Sequence, residues 1–344
     1  MTLENVSSTL RSRILRNAEL EPCKTAFIDA KTPGSDQKEN FCLIGGGVSE
    51  NPGQVTHIKI PHGFDVGAAR QPKGCKNSHH THDTEEIFVV HKGSWKFSWG
   101  HDGSDGYVVL NAGDTISLPT AVFRGFENVG DGDNFLFCIL GQKIDGTAGK
   151  VTWPPYVFEN AKDHGLVLLE GGRLIDTSSG EKIPEGAKLM RATTDEDVAK
   201  YKPFSHADIA KGVLLESELT DQICETGGLN SIEGVSEIPV IGLQNANESL
   251  NKGKIDWSHN FVLRRLRLES GAIVPEHKRF EEEVLFVHKG SLHVKTSEGE
   301  FDLHEGDLFT CPIELMREYS NIANEKVDVI VARRGDNPKA AEFK

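Results

Sequence analysis

Two histidines and a glutamate stand at His80, His82 and Glu86 in the run HTHDTEEIFVV. On a β-strand alternate side chains share a face, so these three point the same way, followed on that face by Phe88 and Val90. His79 and His91 fall on the opposite face. Two imidazoles and a carboxylate that converge with coordination positions left open form a donor set suited to non-haem iron(II), although manganese, nickel, cobalt and zinc also bind it. The expected cofactor is therefore one divalent metal per chain, Fe(II) favoured. The competing reading is a polar strand whose residues are satisfied by water and by each other. The apolar residues that follow at the same parity favour the metal.

A second copy of this segment shows which elements must position the triad. HTHDTEEIFVVHKGSWKF from His80 recurs as HKRFEEEVLFVHKGSLHV from His277, with Gly74, His80, Glu86 and Gly93 returning 197 residues later as Gly271, His277, Glu283 and Gly290. Downstream, Gly113, Pro119, Arg124 and Asn128 return as Gly306, Pro312, Arg317 and Asn321 at an offset of 193. The difference falls in the Gly-rich loop around His101, Asp102 and Gly103, where extra residues cost little. Two copies this far apart are too few and too long for a solenoid, so the chain reads as two domains. The copies differ at one ligand position: Arg279 stands where His82 stands in the first. With Arg317 also present, two guanidiniums oppose a divalent ion and can pair with Glu283. The second copy is therefore expected to be metal-free, with His277, Arg279, Glu283 and Arg317 forming an anion-binding site or structural ion pairs.

Most of the chain consists of short runs rich in Val, Ile, Phe and Thr, closed by turns such as Lys92-Gly93, Asn111-Ala112-Gly113-Asp114 and Glu305-Gly306-Asp307. That punctuation predicts an all-β protein of two antiparallel jelly-roll barrels. Helical periodicity is peripheral, over residues 6–20 and 205–215. The expected organisation is an N-terminal extension at 1–45, a first barrel at 46–150, an ordered inter-barrel segment at 151–251 and a second barrel at 252–344. The inter-barrel segment, with strand-like pieces at 166–169 and 239–243, is too long and too apolar for a disordered tether.

Lysine and arginine number 38 against 52 acidic residues, a formal charge of −14, and no basic run is sustained. That balance argues against nucleic acid and anionic membranes as partners. No apolar stretch approaches the roughly 18 residues a membrane helix needs, and MTLENVSSTL lacks the marks of a signal peptide, so a cytoplasmic location is expected. The six cysteines form no CxxC pair, as expected for free thiols in a reducing compartment. Cys75 lies near the triad in sequence and reads as a buried spectator.

The string from Gly74 to Gly93 resembles the first motif of the cupin family, Gx5HxHx3Ex6G, at every fixed position. Gly113 to Asn128 is similar to the second, Gx5PxGx2Hx3N, with departures. Because both motif regions recur, the chain resembles a bicupin. The resemblance implies two double-stranded β-helix barrels, a divalent metal held by the HxH pair, the glutamate and a final histidine, and a homodimer. Here Arg124 replaces that final histidine and Ala121 replaces the motif glycine. Arg124 cannot ligate, and it weakens metal binding unless an anion lies between the two. A substrate carboxylate, enolate or phosphate would be such an anion, clamped by Arg124 as the catalytic cation. The alternative is an ion pair of Arg124 with Glu86 or another carboxylate.

Fold does not fix chemistry in this family. The first expectation is an Fe(II) dioxygenase acting in the N-terminal barrel on a small anionic substrate, aromatic or enolisable, with Phe88, Trp95 and Phe97 as candidate wall residues. Metal-assisted isomerase or lyase chemistry would use the same ligands without oxygen. A non-catalytic small-molecule-binding bicupin is the third reading.

Overall fold

The computed structural model describes residues 6–219, 228–246 and 250–344; Cys224 lies outside them. The chain divides into two compact units. One comprises Glu21–Lys59 and Asp65–Leu215; the other comprises the segment ending at Leu20, Ile60–Phe64 and Glu216–Lys344. These limits differ from the sequence reading. The 1–45 extension is split, because its first half supplies the edge strand of one sheet and its second half an inner strand of another, and the 151–251 segment, whose strands also join different sheets, is divided near residue 215.

The segment ending at Leu20 carries only a four-residue helix, α1 (Ser8–Arg11), capped by Ser7 Oγ on the Leu10 amide. It turns at once into strand β1 (Ile14–Leu15). Both strand residues are buried, and they pair with Phe309 and Leu308 at the edge of a sheet. Pairing of open backbone groups there outweighs the helical periodicity expected over 6–20.

In the first unit, one sheet runs in the order β15-β9-β6-β11-β4-β2-β3. Its strands are β2 (Glu39–Ile44), β3 (Thr56–Ile58), β4 (Phe64–Gln71), β6 (Glu86–Lys92), β9 (Thr115–Leu118), β11 (Asn134–Gly141) and β15 (Val213–Leu214). The other, β12-β5-β10-β7-β8, contains β5 (Lys76–His82), β7 (Ser94–Trp99), β8 (Gly106–Asn111), β10 (Arg124–Asn128) and β12 (Val151–Thr152). Their facing residues form a core in which Phe88, Val90, Trp95, Phe97 and Leu136 are buried. Each such side chain contributes roughly 1.5–3 kcal/mol of transfer free energy. The tight turn after β6 needs a left-handed residue. Gly93 supplies it at φ 83°, and a Cβ there would overlap the Asn134 side chain.

The connecting segment packs a satellite core of Trp153, Val157, Ala161, Leu166 and Leu168. It contains α2 (Pro155–Asp163), a hairpin of β13 (Leu166–Leu168) and β14 (Leu174–Asp176), α3 (Asp195–Val198) and α4 (His206–Ala210). Helix α2 was not expected, yet its signal was present: Pro155 sits in the first turn, where its missing N–H costs nothing. In the 205–215 stretch α4 is brief, and Val213 and Leu214 leave it to pair with β9.

The second unit repeats the plan with sheets β1-β22-β19-β24-β17-β16 and β21-β20-β23-β18-β25. The strands are β16 (Val235–Ile241), β17 (Phe261–Leu268), β18 (Ile273–Lys278), β19 (Glu283–Lys289), β20 (Ser291–Thr296), β21 (Gly299–His304), β22 (Leu308–Cys311), β23 (Arg317–Ser320), β24 (Val327–Arg334) and β25 (Glu342–Phe343). The all-β architecture is as expected. Among the described residues no helix is long and apolar enough to cross a membrane.

Candidate metal centre

Strands β5 and β6 bring the triad together. Donor atoms of His80, His82 and Glu86 lie within 4.8 Å of one another, and all three residues are buried. His80 and His82 leave β5 on one face, with ring centroids 4.9 Å apart. The His80 ring is oriented by a hydrogen bond from Nδ1 to the Ser78 carbonyl at 2.8 Å, which leaves Nε2 as the nitrogen that could take a metal. His82 makes no hydrogen bond at either ring nitrogen, and its Nε2 lies 3.6 Å from Glu86 Oε1. The strand end that carries it is pinned by the Ala121 amide, which donates to the His82 carbonyl at 3.0 Å.

Ala121 holds this position at φ 64°, so the left-handed backbone persists although the glycine has gone. Its counterpart in the second copy is Glu314, at φ 61°, whose amide donates to the Arg279 carbonyl. The strain, roughly 1–2 kcal/mol for an L-residue, is carried in both copies to aim the neighbouring strand.

Burial lowers the His80 pKa to about 3, with Arg124 adding to the effect. His82 is pushed well below its ordinary value, again by burial first and Arg124 second. Both imidazoles are therefore neutral at physiological pH, the form that ligates a metal.

Arg124 is buried and donates to Glu86 Oε2 from Nε at 3.0 Å and from Nη2 at 2.5 Å. Its Nη1 donates to the Val122 carbonyl at 3.3 Å. The other carboxylate oxygen, Oε1, is not held by Arg124; it has His82 Nε2 at 3.6 Å and the Cys138 thiol, which donates to it, at 3.7 Å. Burial and the Glu86 charge push that thiol well above its usual pKa, so it stays protonated. Of the two roles expected for Arg124, the geometry matches the ion pair. The guanidinium is turned to Glu86 and is not among the residues lining the cavity beside the triad.

That cavity holds about 630 Å³ of empty space, part of it open to solvent, and is lined by the triad together with Phe41, Phe88, Phe126 and Trp153. Among the three aromatic wall candidates only Phe88 reaches it; Trp95 and Phe97 are buried in the core beyond. His79 points to the other face, where its Nδ1 meets Tyr156 Oη at 3.1 Å and its Nε2 meets Ser98 Oγ at 2.9 Å. His91 packs against Phe135. Cys75 is a buried free thiol away from the cavity, whereas Cys42 and Cys138 line it. Sequence reasoning missed Asn40, Gln54, Cys138 and Trp153 as lining residues; they lie outside the repeated motif, so no spacing rule could reach them.

The donor set fits a metal. Both His82 nitrogens are buried without a hydrogen bond, His80 presents Nε2, and one Glu86 oxygen is left uncommitted by Arg124. The three would form a facial arrangement with positions open to exogenous ligands.

The second centre has the same frame. His277 Nδ1 bonds to the Pro275 carbonyl, and Arg317 Nη1 donates to the Leu315 carbonyl, as His80 and Arg124 do with Ser78 and Val122. Its carboxylate is fully engaged. Glu283 Oε1 accepts from Arg317 at 3.0 Å and from Tyr319 Oη at 2.7 Å, and Oε2 accepts from Arg333 at 2.6 Å. Arg279 lies 3.8 Å from Glu283 and from Glu237. Burial alone would raise the Glu283 pKa, but Arg333, Arg317 and Arg279 together hold it well below the usual range. Of the two expected roles for these residues, the ion pairs are present.

Residues 69–140 match the family model of the cupin domain. Solved structures similar to the whole chain include vicilin from Capsicum annuum, at 12% identity, covering 96% of this chain and 88% of that one with a TM-score of 0.58. They also include a mutant form of oxalate decarboxylase from Bacillus subtilis, at 12% identity, covering 99% of this chain and 81% of that one with a TM-score of 0.55. Vicilin from Solanum lycopersicum matches at 12% identity over 96% of this chain and 87% of that one, TM-score 0.56. No curated protein matches the chain in sequence.

Proposed function

Proceeding from a chain that folds as a bicupin, with a cupin domain in its first barrel, we propose that this barrel binds one divalent metal, iron(II) by preference, and that the protein is a dioxygenase of a small organic substrate. The observation that carries this reading is His82, buried with neither ring nitrogen hydrogen-bonded, beside His80 and the Glu86 oxygen that Arg124 does not hold. An unsatisfied buried polar group costs roughly 1–3 kcal/mol, and coordination would remove that cost. When bound, the metal supplies Lewis acidity and open positions for oxygen and substrate.

The residues of the chain do the positioning. Ser78 fixes the His80 ring, and Arg124 holds Glu86 by one oxygen so that the other faces His82. Burial keeps both imidazoles unprotonated. Phe88 and Trp153 line the cavity and restrict water. A second reading has its own support: Arg124 already pairs with Glu86, so the carboxylate has a counter-charge without a metal, which fits a non-catalytic binding protein.

Metal analysis of untagged protein purified anaerobically, wild type against His80→Ala, separates the readings. About one iron per chain, lost in the variant, supports the dioxygenase. One manganese, nickel or zinc moves the reading to isomerase or lyase chemistry with the same ligands. No metal even after reconstitution with excess iron leaves the binding protein.

A further inference from the structure

We infer that the cavity of the first barrel selects an uncharged, apolar-bodied aromatic ligand carrying a hydroxyl or N–H donor, and discriminates against organic anions. This rests on reading the first barrel as the working site but not on whether it turns over, and it describes the cavity with no metal bound. The argument begins with charge. Among the described residues lining the cavity there is no lysine or arginine, and the buried cations beside it are paired: Arg124 with Glu86, and Lys38, whose ammonium lies over the Phe27 ring, with Asp29. An organic anion entering would give up its hydration to face the Glu86 carboxylate and apolar walls, with no lysine or arginine in return and only the His80 and His82 imidazoles to meet it.

The walls set the body of the ligand. Phe27, Phe41, Phe88, Phe126 and Trp153 supply aromatic surface, which favours a ring in offset or edge contact. The donor requirement comes from two amides. Gln54 Nε2 donates to the Asn40 carbonyl at 3.3 Å, which fixes the amide so that Oε1 is the free acceptor. That oxygen is buried with no donor, and so is Oδ1 of Asn40, a residue 8% exposed. Both residues line the cavity. Two orphaned acceptors on residues that line the cavity are met by a ligand hydroxyl or N–H once a turn of either side chain brings its oxygen to the cavity surface, whereas a carboxylate or an ether has no proton to give. A site built to bond a donor rejects an analogue lacking it, because its own polar groups stay unpaired.

Three probes of matched shape test this by calorimetric titration of the full chain at neutral pH, before and after chelator treatment: 4-ethylphenol, ethylbenzene and 4-ethylbenzoate. In the chelated protein 4-ethylphenol is expected to bind at least tenfold more tightly than 4-ethylbenzoate and several-fold more tightly than ethylbenzene. Gln54→Leu should bring 4-ethylphenol and ethylbenzene to within about twofold of each other, with the thermal midpoint showing that the fold is kept. Val48→Trp, which enlarges a lining side chain, should abolish binding of all three. Benzoate binding as tightly as the phenol, an unchanged phenol preference in Gln54→Leu, or no binding of any probe to the chelated wild type would each overturn the inference. A chain that takes up no metal yet ranks the probes as stated would defeat the proposed function and leave this inference standing.

Discussion

The two barrel centres share a frame and differ in what fills it. In each, a histidine bonds to the carbonyl two residues before it, an arginine does the same, and that arginine grips the central glutamate. The differences lie at four inward positions. His82 becomes Arg279, Phe126 becomes Tyr319, and Leu140, opposite Glu86, becomes Arg333, opposite Glu283. Asn40, opposite Ala69, becomes Glu237, opposite Leu266. The first set leaves one carboxylate oxygen, two neutral imidazoles and a cavity. The second set occupies both oxygens of Glu283 and buries three guanidiniums against two carboxylates. One scaffold thus supports either a place for a ligand or an ion-paired core, and the choice lies in whether the central glutamate keeps an oxygen that no guanidinium holds.

The sharpest way to break this comparison is metal stoichiometry. His82→Ala should reduce it from about one per chain to none. Arg279→His, which restores the HxH pair in the second barrel, should add none, because Glu283 is still held by Arg317, Tyr319 and Arg333. Mass-spectrometric metal analysis of both variants decides it; a second metal in Arg279→His would show that the pairing is weaker than the geometry implies.

Stability gives the next largest contrast. Removing one partner of a buried ion pair costs about 3–5 kcal/mol through the charge left behind. Glu86→Gln strands one guanidinium and should fall at the lower end of that range. Glu283→Gln leaves Arg279, Arg317 and Arg333 with Glu237 alone and should reach the upper end or pass it. Urea unfolding of the metal-free proteins measures both, and a larger loss in Glu86→Gln would reverse the ranking.

How far this contrast was legible in the sequence depends on the residue. The β-strand parity of His80, His82 and Glu86, and the repeat that exposes Arg279, suffice to locate the centre and to separate the two copies. The ion pair of Arg124 was one of two open readings, because sequence spacing says that Arg124 faces Glu86 but not which way its guanidinium turns. Glu237, Arg333, Asn40 and Gln54 were out of reach. They come from strands or loops with no shared motif: sheet register sets Arg333 opposite Glu283, Glu237 opposite Leu266 and Asn40 opposite Ala69, and Gln54 comes from a loop. The N-terminal segment misled for a related reason, since pairing with the edge of β22 overrides a helical pattern of apolar residues.

A third test concerns pH and touches the first unit only. Burial raises the Glu50 carboxyl to about 8, against the lowering effect of hydrogen bonds from Trp153 Nε1 and the Ile28 amide, each 2.7 Å long. A carboxyl whose folded pKa lies above its unfolded value stabilises the fold below the unfolded pKa, near 4.5, and that contribution is lost as pH rises toward 8. Between pH 5 and pH 7.5 the loss should be roughly 3 kcal/mol. Glu50→Gln should flatten this slope in urea titrations, and an unchanged slope would remove Glu50 as its source.

The smallest effect expected bears on the feature the two centres share. Arg124 repels a divalent cation and competes for Glu86, yet it also fixes the carboxylate. If its charge dominates, Arg124→Met should tighten metal binding about tenfold, or ~1.4 kcal/mol, because a full Coulombic repulsion at a buried site disappears while His80 and His82 keep their places. Competition titration with a chromophoric chelator reads the affinity directly. A weaker site in Arg124→Met would mean instead that aiming Glu86 matters more than relieving repulsion, and Arg124 would then be a positioning residue of the metal centre rather than a remnant of an ion-paired barrel.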